Sequence, residues 1–154
     1  ANGDTWATEV GTLSQEPPRL ITSGQPVAPG TSGGVTLLGT GAALAGAASV
    51  GLVAEALGAG AGRGTPLRGR LPLLGLIGGM AGILTDSVLG AMAQAMYWCP
   101  RCEQETERRV HRCGQETAHL RGWRWLDNDG VNFVSTAAGA AIAALLARAL
   151  TRCV

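Results

Sequence analysis

Three long runs of apolar and small residues alternate with short polar stretches, and this alternation predicts the architecture. The runs cover 34–57, 71–98 and 130–150, interrupted only by Glu55, Asp86 and Arg148. Each is long enough to cross a hydrocarbon core of ~30 Å as an α-helix, which takes about 20 residues. As buried helices of a soluble protein they would leave too little polar surface to cover them. The pattern therefore predicts an all-α integral membrane protein, a polytopic bundle of three to four helices, with a small Cys/His loop at 99–129.

Within the runs, small residues recur every four positions. Gly39, Ala43, Ala47 and Gly51 form one stripe; Gly75 with Gly79 and Gly78 with Gly82 form two GxxxG pairs. Such stripes let helix backbones approach closely where lipid offers no hydrophobic drive to associate. The Gly78–Gly82 stripe continues to Asp86 and Gly90, so Asp86 is expected to face protein or a water-filled pocket. A carboxylate at that depth is functional by default. The plainer alternative is a buried Asp bonded to a neighbour's hydroxyl. Tyr97, Trp98, Trp123 and Trp125 flank the second and third runs and read as an interfacial belt. They put residues 14–33 and 99–129 on one membrane face and 58–70 on the other.

Composition sharpens this. The chain of 154 residues is 46% hydrophobic before its 24 Gly are counted, and 15% charged, against about 25% charged in an ordinary soluble domain. All twelve basic residues are Arg. Without Lys there is no GK[ST] phosphate loop, kinase Lys or Schiff-base Lys. A net charge of +1 with no basic cluster argues against nucleic acid as a partner. The Arg count of the two faces does not orient the chain. The opening GDTWATEVG reads as mid-domain, so residues 1–154 are expected to be the C-terminal part of one membrane domain.

Four constellations carry candidate chemistry. Read as a helix, the opening segment lines up Asp4, Thr8 and Thr12, with Thr5 and Glu9 beside them, a polar arc suited to a metal or phosphate or merely to a solvated helix end. Gly30, Thr31, Ser32, Gly33 and Gly34 form a Gly-rich turn expected to feed the first spanning helix; its N–H groups and hydroxyls suit an anion, and Thr31 or Ser32 suits the helix cap. At the start of the third run, Asp129, Asn132, Thr136 and Gly139 share one helical face, while Asp127 suits the N-cap; oxygen ligands of this kind suit Mg²⁺. Finally, Cys99 and Cys102 (CxxC) with Cys113 and His111, or His119 instead of His111, match a closed Cys₃His zinc site. A redox CxxC or a disulfide would not use three Cys and two His. Cys153 has no assigned role.

Taken together, GDTWATEVGTLS, PRLIT, PVAPGTSGGVTLLGT, LTDSVLGA, CPRCEQETE, HRCG and RGWRWLDNDGVNF resemble the plant phytyl-phosphate kinase and transmembrane protein 19 family along nearly the whole chain. The resemblance implies a polytopic enzyme converting a prenyl monophosphate to its diphosphate with a nucleoside triphosphate, CTP favoured. It also implies further helices before the GDT segment. On that activity, Asp4, Glu9, Asp86 and Asp129 are the expected catalytic residues around Mg²⁺-bound phosphates. Gly30–Gly34, Arg19 and Asn132 are the expected phosphate or nucleotide contacts, with Arg121 or Arg124 as further sources of positive charge. The partners are then membrane lipid, the prenyl phosphate and the nucleotide. A nucleotide site and zinc thiolates both place 14–33 and 99–129 in the cytoplasm, in the inner or plasma membrane of a microbial cell. The alternatives are a transporter or carrier with an intramembrane acidic site, a lipid nucleotidyltransferase, and a scaffold displaying a zinc loop.

Overall fold

The computed structural model describes residues 2–60 and 67–152. In chain order these form α1 (Asn2–Gly11), β1 (Arg19–Leu20), β2 (Gly34–Val35), α2 (Leu37–Gly60), α3 (Leu71–Met92), β3 (Met96–Cys99), β4 (Gln104–Thr106), β5 (Ala118–Arg121) and α4 (Asn128–Arg152). Helix starts follow local chemistry. Thr36 Oγ1 accepts the Gly39 N–H at 2.9 Å and caps α2. Pro72 sits in the first turn of α3, where its missing N–H costs nothing. Asp127 Oδ1 accepts the Gly130 N–H at 3.0 Å and caps α4.

The four helices pack in series, α1 on α2, α2 on α3 and α3 on α4. Small residues make each junction. A Cβ on Gly79 would stand 2.5 Å from that of Ala47 on α2, and one on Gly78 would stand 2.8 Å from the Gly139 carbonyl on α4. The two GxxxG pairs of α3 therefore look in different directions, Gly75/Gly79 toward α2 and Gly78/Gly82 toward α4. This is the close approach that small residues permit. Leu57, Phe133 and Leu145 point outward, each at least 65% exposed. α2, α3 and α4 are long and apolar enough to cross a membrane. The all-α bundle is the architecture that forms.

One boundary differs from the hydropathy reading. The second run, expected to be helical to Trp98, leaves the helix at Met92; Ala93 and Gln94 both donate to the Leu89 carbonyl, and the chain then extends. Tyr97 and Trp98 sit in β3, the centre of an antiparallel sheet ordered β4-β3-β5. A short apolar strand and the end of a buried helix have the same hydropathy, and aromatic residues favour the pleat. The stretch expected to be a loop thus holds a small ribbon whose Met96, Tyr97 and Cys99 are buried. Its root is sewn to the bundle. Ala95 donates to the Leu126 carbonyl and Trp123 to the Ala93 carbonyl, both at 2.8 Å, around a core of Ala93, Leu126 and Val131.

Candidate functional site

A cavity of about 760 Å³ lies where α1, the 30–34 turn, α3, the start of α4 and the ribbon meet. α1 reaches it because Gly3 is buried against α2, which turns Asp4, Thr8, Glu9 and Thr12 toward the opening. Asp86 reaches it from α3, six residues before the helix end, hence about 9 Å along the axis at 1.5 Å per residue. Its Oδ2 accepts the Ser135 hydroxyl of α4 at 3.0 Å, the neighbour bond the plainer reading anticipated. The lining carboxylates are Asp4, Glu9, Glu16, Asp86 and Glu107, and among the described residues no Arg or His lines the cavity. Ala43, Met80, Ile83 and Leu84 give it an apolar side. Such a site attracts cations and admits an anion only with cations beside it.

The Gly-rich turn sits on the cavity wall, but not as a helix N-terminus. β1 and β2 pair antiparallel, with Leu20 opposite Gly34, and so separate the turn from α2. Thr36, not Thr31 or Ser32, is the cap. Gly30 and Gly33 adopt φ of +86° and +81°, and a Cβ on Gly33 would collide with Ala91. Thr31 and Gly34 spend their N–H groups on the turn itself. Among the described residues, the N–H groups of Gly30, Ser32 and Gly33 have no hydrogen-bond partner.

Asn132 lines the cavity together with Asn128, one helical turn earlier. Asp129 does not; it is exposed on the first turn of α4. The face that α4 turns inward is Val131–Ser135–Gly139, which splits the expected stripe: Gly139 is buried and Asn132 lines the cavity, while Asp129 and Thr136 are exposed. None of the expected Arg lines the cavity either. Arg19 donates to the Gly24 carbonyl at 3.0 Å, and Arg121 caps the end of α3 through the Ala91 carbonyl at 2.9 Å. Arg124 belongs to a separate hollow.

Sequence reasoning passed over Gln94. It is only 1% exposed, lines the cavity, and takes the Ser32 hydroxyl on Oε1 at 2.9 Å, while its Nε2 has no partner. It thereby ties the Gly-rich turn to the root of the ribbon. The signal was present. Gln94 is the next step of the four-residue stripe Gly78, Gly82, Asp86, Gly90.

On the ribbon, the sulfurs of Cys99, Cys102 and Cys113 and a His111 ring nitrogen all lie within 4.8 Å of one another. The register of Cys99 opposite Gln104 closes the CxxC turn, with Glu103 at φ +50°. Cys99 and Cys113 sulfurs stand 3.8 Å apart, and His111 Nδ1 is 3.2 Å from Cys113. Two sulfurs on one tetrahedral Zn²⁺, each at ~2.3 Å, would stand about 3.8 Å apart. The cluster has the size of a four-ligand metal site. His119 lies outside it, with its Nε2–H donating to the Gly122 carbonyl at 3.1 Å. In the metal-free cluster, the His111 bond and then the Gln115 backbone hold the Cys113 thiol down at about 6, and sharing a proton with Cys113 pushes Cys102 up to about 11. Cys153 lies outside the described residues.

Residues 1–140 match the family described as integral membrane protein DUF92. The chain belongs to this family. Among curated relatives, this DUF92 protein is 41% identical to Protein PGR of Arabidopsis thaliana over 138 residues, which is 87% of this chain and 46% of that protein. It is 42% identical over 94 residues to Uncharacterized membrane protein MJ0933 of Methanocaldococcus jannaschii, covering 60% of this chain and 35% of that one. The chain thus spans less than half the length of both relatives. No solved structure matches. Membership agrees with the phytyl-phosphate kinase and transmembrane protein 19 resemblance, and the three apolar helices are those of an integral membrane protein.

Proposed function

We propose that this DUF92 protein supplies part of a membrane-embedded kinase that converts a prenyl monophosphate to its diphosphate with a nucleoside triphosphate, CTP favoured. The observation that carries the reading is the cavity: among the described residues it has five carboxylates, no basic side chain, an apolar side toward the helices and three N–H groups without a partner in its wall. Asp4, Glu9 and Asp86 would hold Mg²⁺, with Asn132 beside them; bound there, the ions would neutralise phosphate charge. Gly30, Ser32 and Gly33 would donate to phosphate oxygens. The apolar wall would take the first carbons of the prenyl chain. An oxygen of the monophosphate attacks the terminal phosphorus of the nucleotide, the bridging P–O bond breaks, and the nucleoside diphosphate leaves. Asp129 and Arg19 have no part in this scheme. The face bearing the turn and the ribbon would open to the cytoplasm, where nucleotide is available.

The test uses the full-length protein in liposomes with prenyl monophosphate and CTP labelled at either the γ or the α phosphate. Label from the γ position should appear in a prenyl diphosphate. Label from the α position in the lipid would instead mean nucleotidyl transfer. Substrate movement across the bilayer with neither label transferred would mean a carrier and sink the kinase reading.

A further inference from the structure

A second hollow, about 260 Å³, lies on the ribbon and is lined by Tyr97, Arg109, Thr117, His119 and Arg124. Neither Arg has a carboxylate partner; among the described residues the one ion pair joins Arg121 to Glu105. Arg109 Nη2 reaches the Arg124 carbonyl at 3.4 Å, which brings the two residues together. The wall is stiff. Tyr97 meets the His119 ring edge-on at 5.6 Å, His119 is pinned to Gly122, and Thr117 donates at 2.8 Å to the Arg109 carbonyl. Two unpaired guanidinium groups at one concave wall form the donor set that recognises a phosphate.

The surroundings identify the source of that phosphate. Trp123 and Trp125 stack at 5.4 Å beside Arg124, and Trp125 is 74% exposed. They immediately precede α4, at the end of a membrane-spanning helix, where Trp marks headgroup depth. A small cationic hollow at that depth, next to an outward aromatic pair, fits the headgroup of a lipid. We propose that Arg109 and Arg124 bind the phosphate of an anionic membrane lipid at a site separate from the acidic cavity. The proposal is independent of the kinase reading, since it uses none of the cavity residues.

The test is lipid retention by the full-length protein in nanodiscs of phosphatidylcholine with added phosphatidylglycerol. After transfer to detergent, native mass spectrometry should find phosphatidylglycerol held preferentially. Arg109→Gln/Arg124→Gln should lower the retained fraction on the order of ten-fold, since each Arg near an anionic surface contributes appreciably. Arg112→Gln, an exposed Arg outside the hollow, should not lower it. Metal content reports whether the ribbon still folds in each variant, and a single Arg124→Gln replaces the double variant if it does not. Equal retention by wild type and the Arg109/Arg124 variants, or equal retention of phosphatidylcholine, would overturn the proposal. Ready displacement by inorganic phosphate would overturn the lipid as its source.

Discussion

Asp86 sits on a membrane-spanning helix and is bonded to one hydroxyl, whose single proton it shares with the Asn132 carbonyl, 3.1 Å from the same oxygen. One hydrogen bond to a charged group is worth roughly 1.5–3 kcal/mol, too little to explain a carboxylate at that depth by packing alone. If it ligates Mg²⁺, Asp86→Asn should cut phosphoryl transfer on the order of a hundred-fold or more while the protein still inserts and purifies, and Asp86→Leu should be no worse. Ser135→Ala should lose far less. Turnover intact in Asp86→Asn would assign the residue to packing. The ribbon thiols give a second residue-scale outcome. With Cys113 at about 6 and Cys102 at about 11, brief chelation that leaves the ribbon folded gives Cys113 as thiolate and Cys102 as thiol at pH 7. Iodoacetamide should therefore label Cys113 first by peptide mapping, and the rate should fall as pH drops through about 6, where Cys113 gains its proton. Equal labelling of the two would remove His111 as the controlling partner.

At the scale of elements, the helices associate through backbone contact more than through interlocking side chains. Gly78 meets the Gly139 carbonyl and Ala143, whereas Gly41 of α2 has nothing within 4 Å. Gly78→Val should force α3 and α4 apart and destabilise the bundle by about 1–3 kcal/mol, the usual cost of overpacking. Gly41→Val should be close to neutral. Thermal unfolding in detergent distinguishes them, and equal stability would mean that α3 and α4 are held by something other than this seam. The stripes themselves were legible in the sequence, since four-residue spacing selects one helix face. Which helix each stripe meets was not legible. Gly75/Gly79 and Gly78/Gly82 are equivalent in sequence, and only the tertiary arrangement sends one to α2 and the other to α4.

For the molecule as a whole, the ribbon is a wall of the candidate site as well as an appendage. Glu107 lines the cavity, and Gln94 at the ribbon's root holds Ser32 of the Gly-rich turn. A metal on Cys99, Cys102, His111 and Cys113 would contribute folding free energy to this small sheet. Elemental analysis should find one Zn²⁺ per chain. Cys102→Ser or Cys113→Ser should lose the metal and the ribbon's protease resistance and lower any transferase activity, while Cys153→Ser should do none of these. Metal retained in Cys113→Ser would exclude Cys113 as a ligand.

The sequence by itself determined the spanning helices, the small-residue faces, the inward-facing placement of Asp86 and the three cysteines of the metal-ligand cluster, because hydropathy, four-residue periodicity and CxxC spacing are local quantities. It favoured His111 over His119 as the fourth ligand without excluding either, since both lie within reach along the chain; folding β5 beside β3 carries His119 away from the thiols. It extended α3 to Trp98, because a buried strand and a buried helix end have one hydropathy. It named both Asp129 and Asn132, and the rotation of α4, fixed by the Ser135–Gly139 seam against Gly78 and Gly82, set Asn132 and its neighbour Asn128 on the cavity and left Asp129 off it. It distributed Arg to the phosphate site, and the fold kept every one of them out of the cavity. Helix rotation, strand pairing and the convergence of distant side chains depend on contacts between segments far apart in sequence, and those only the tertiary structure decided.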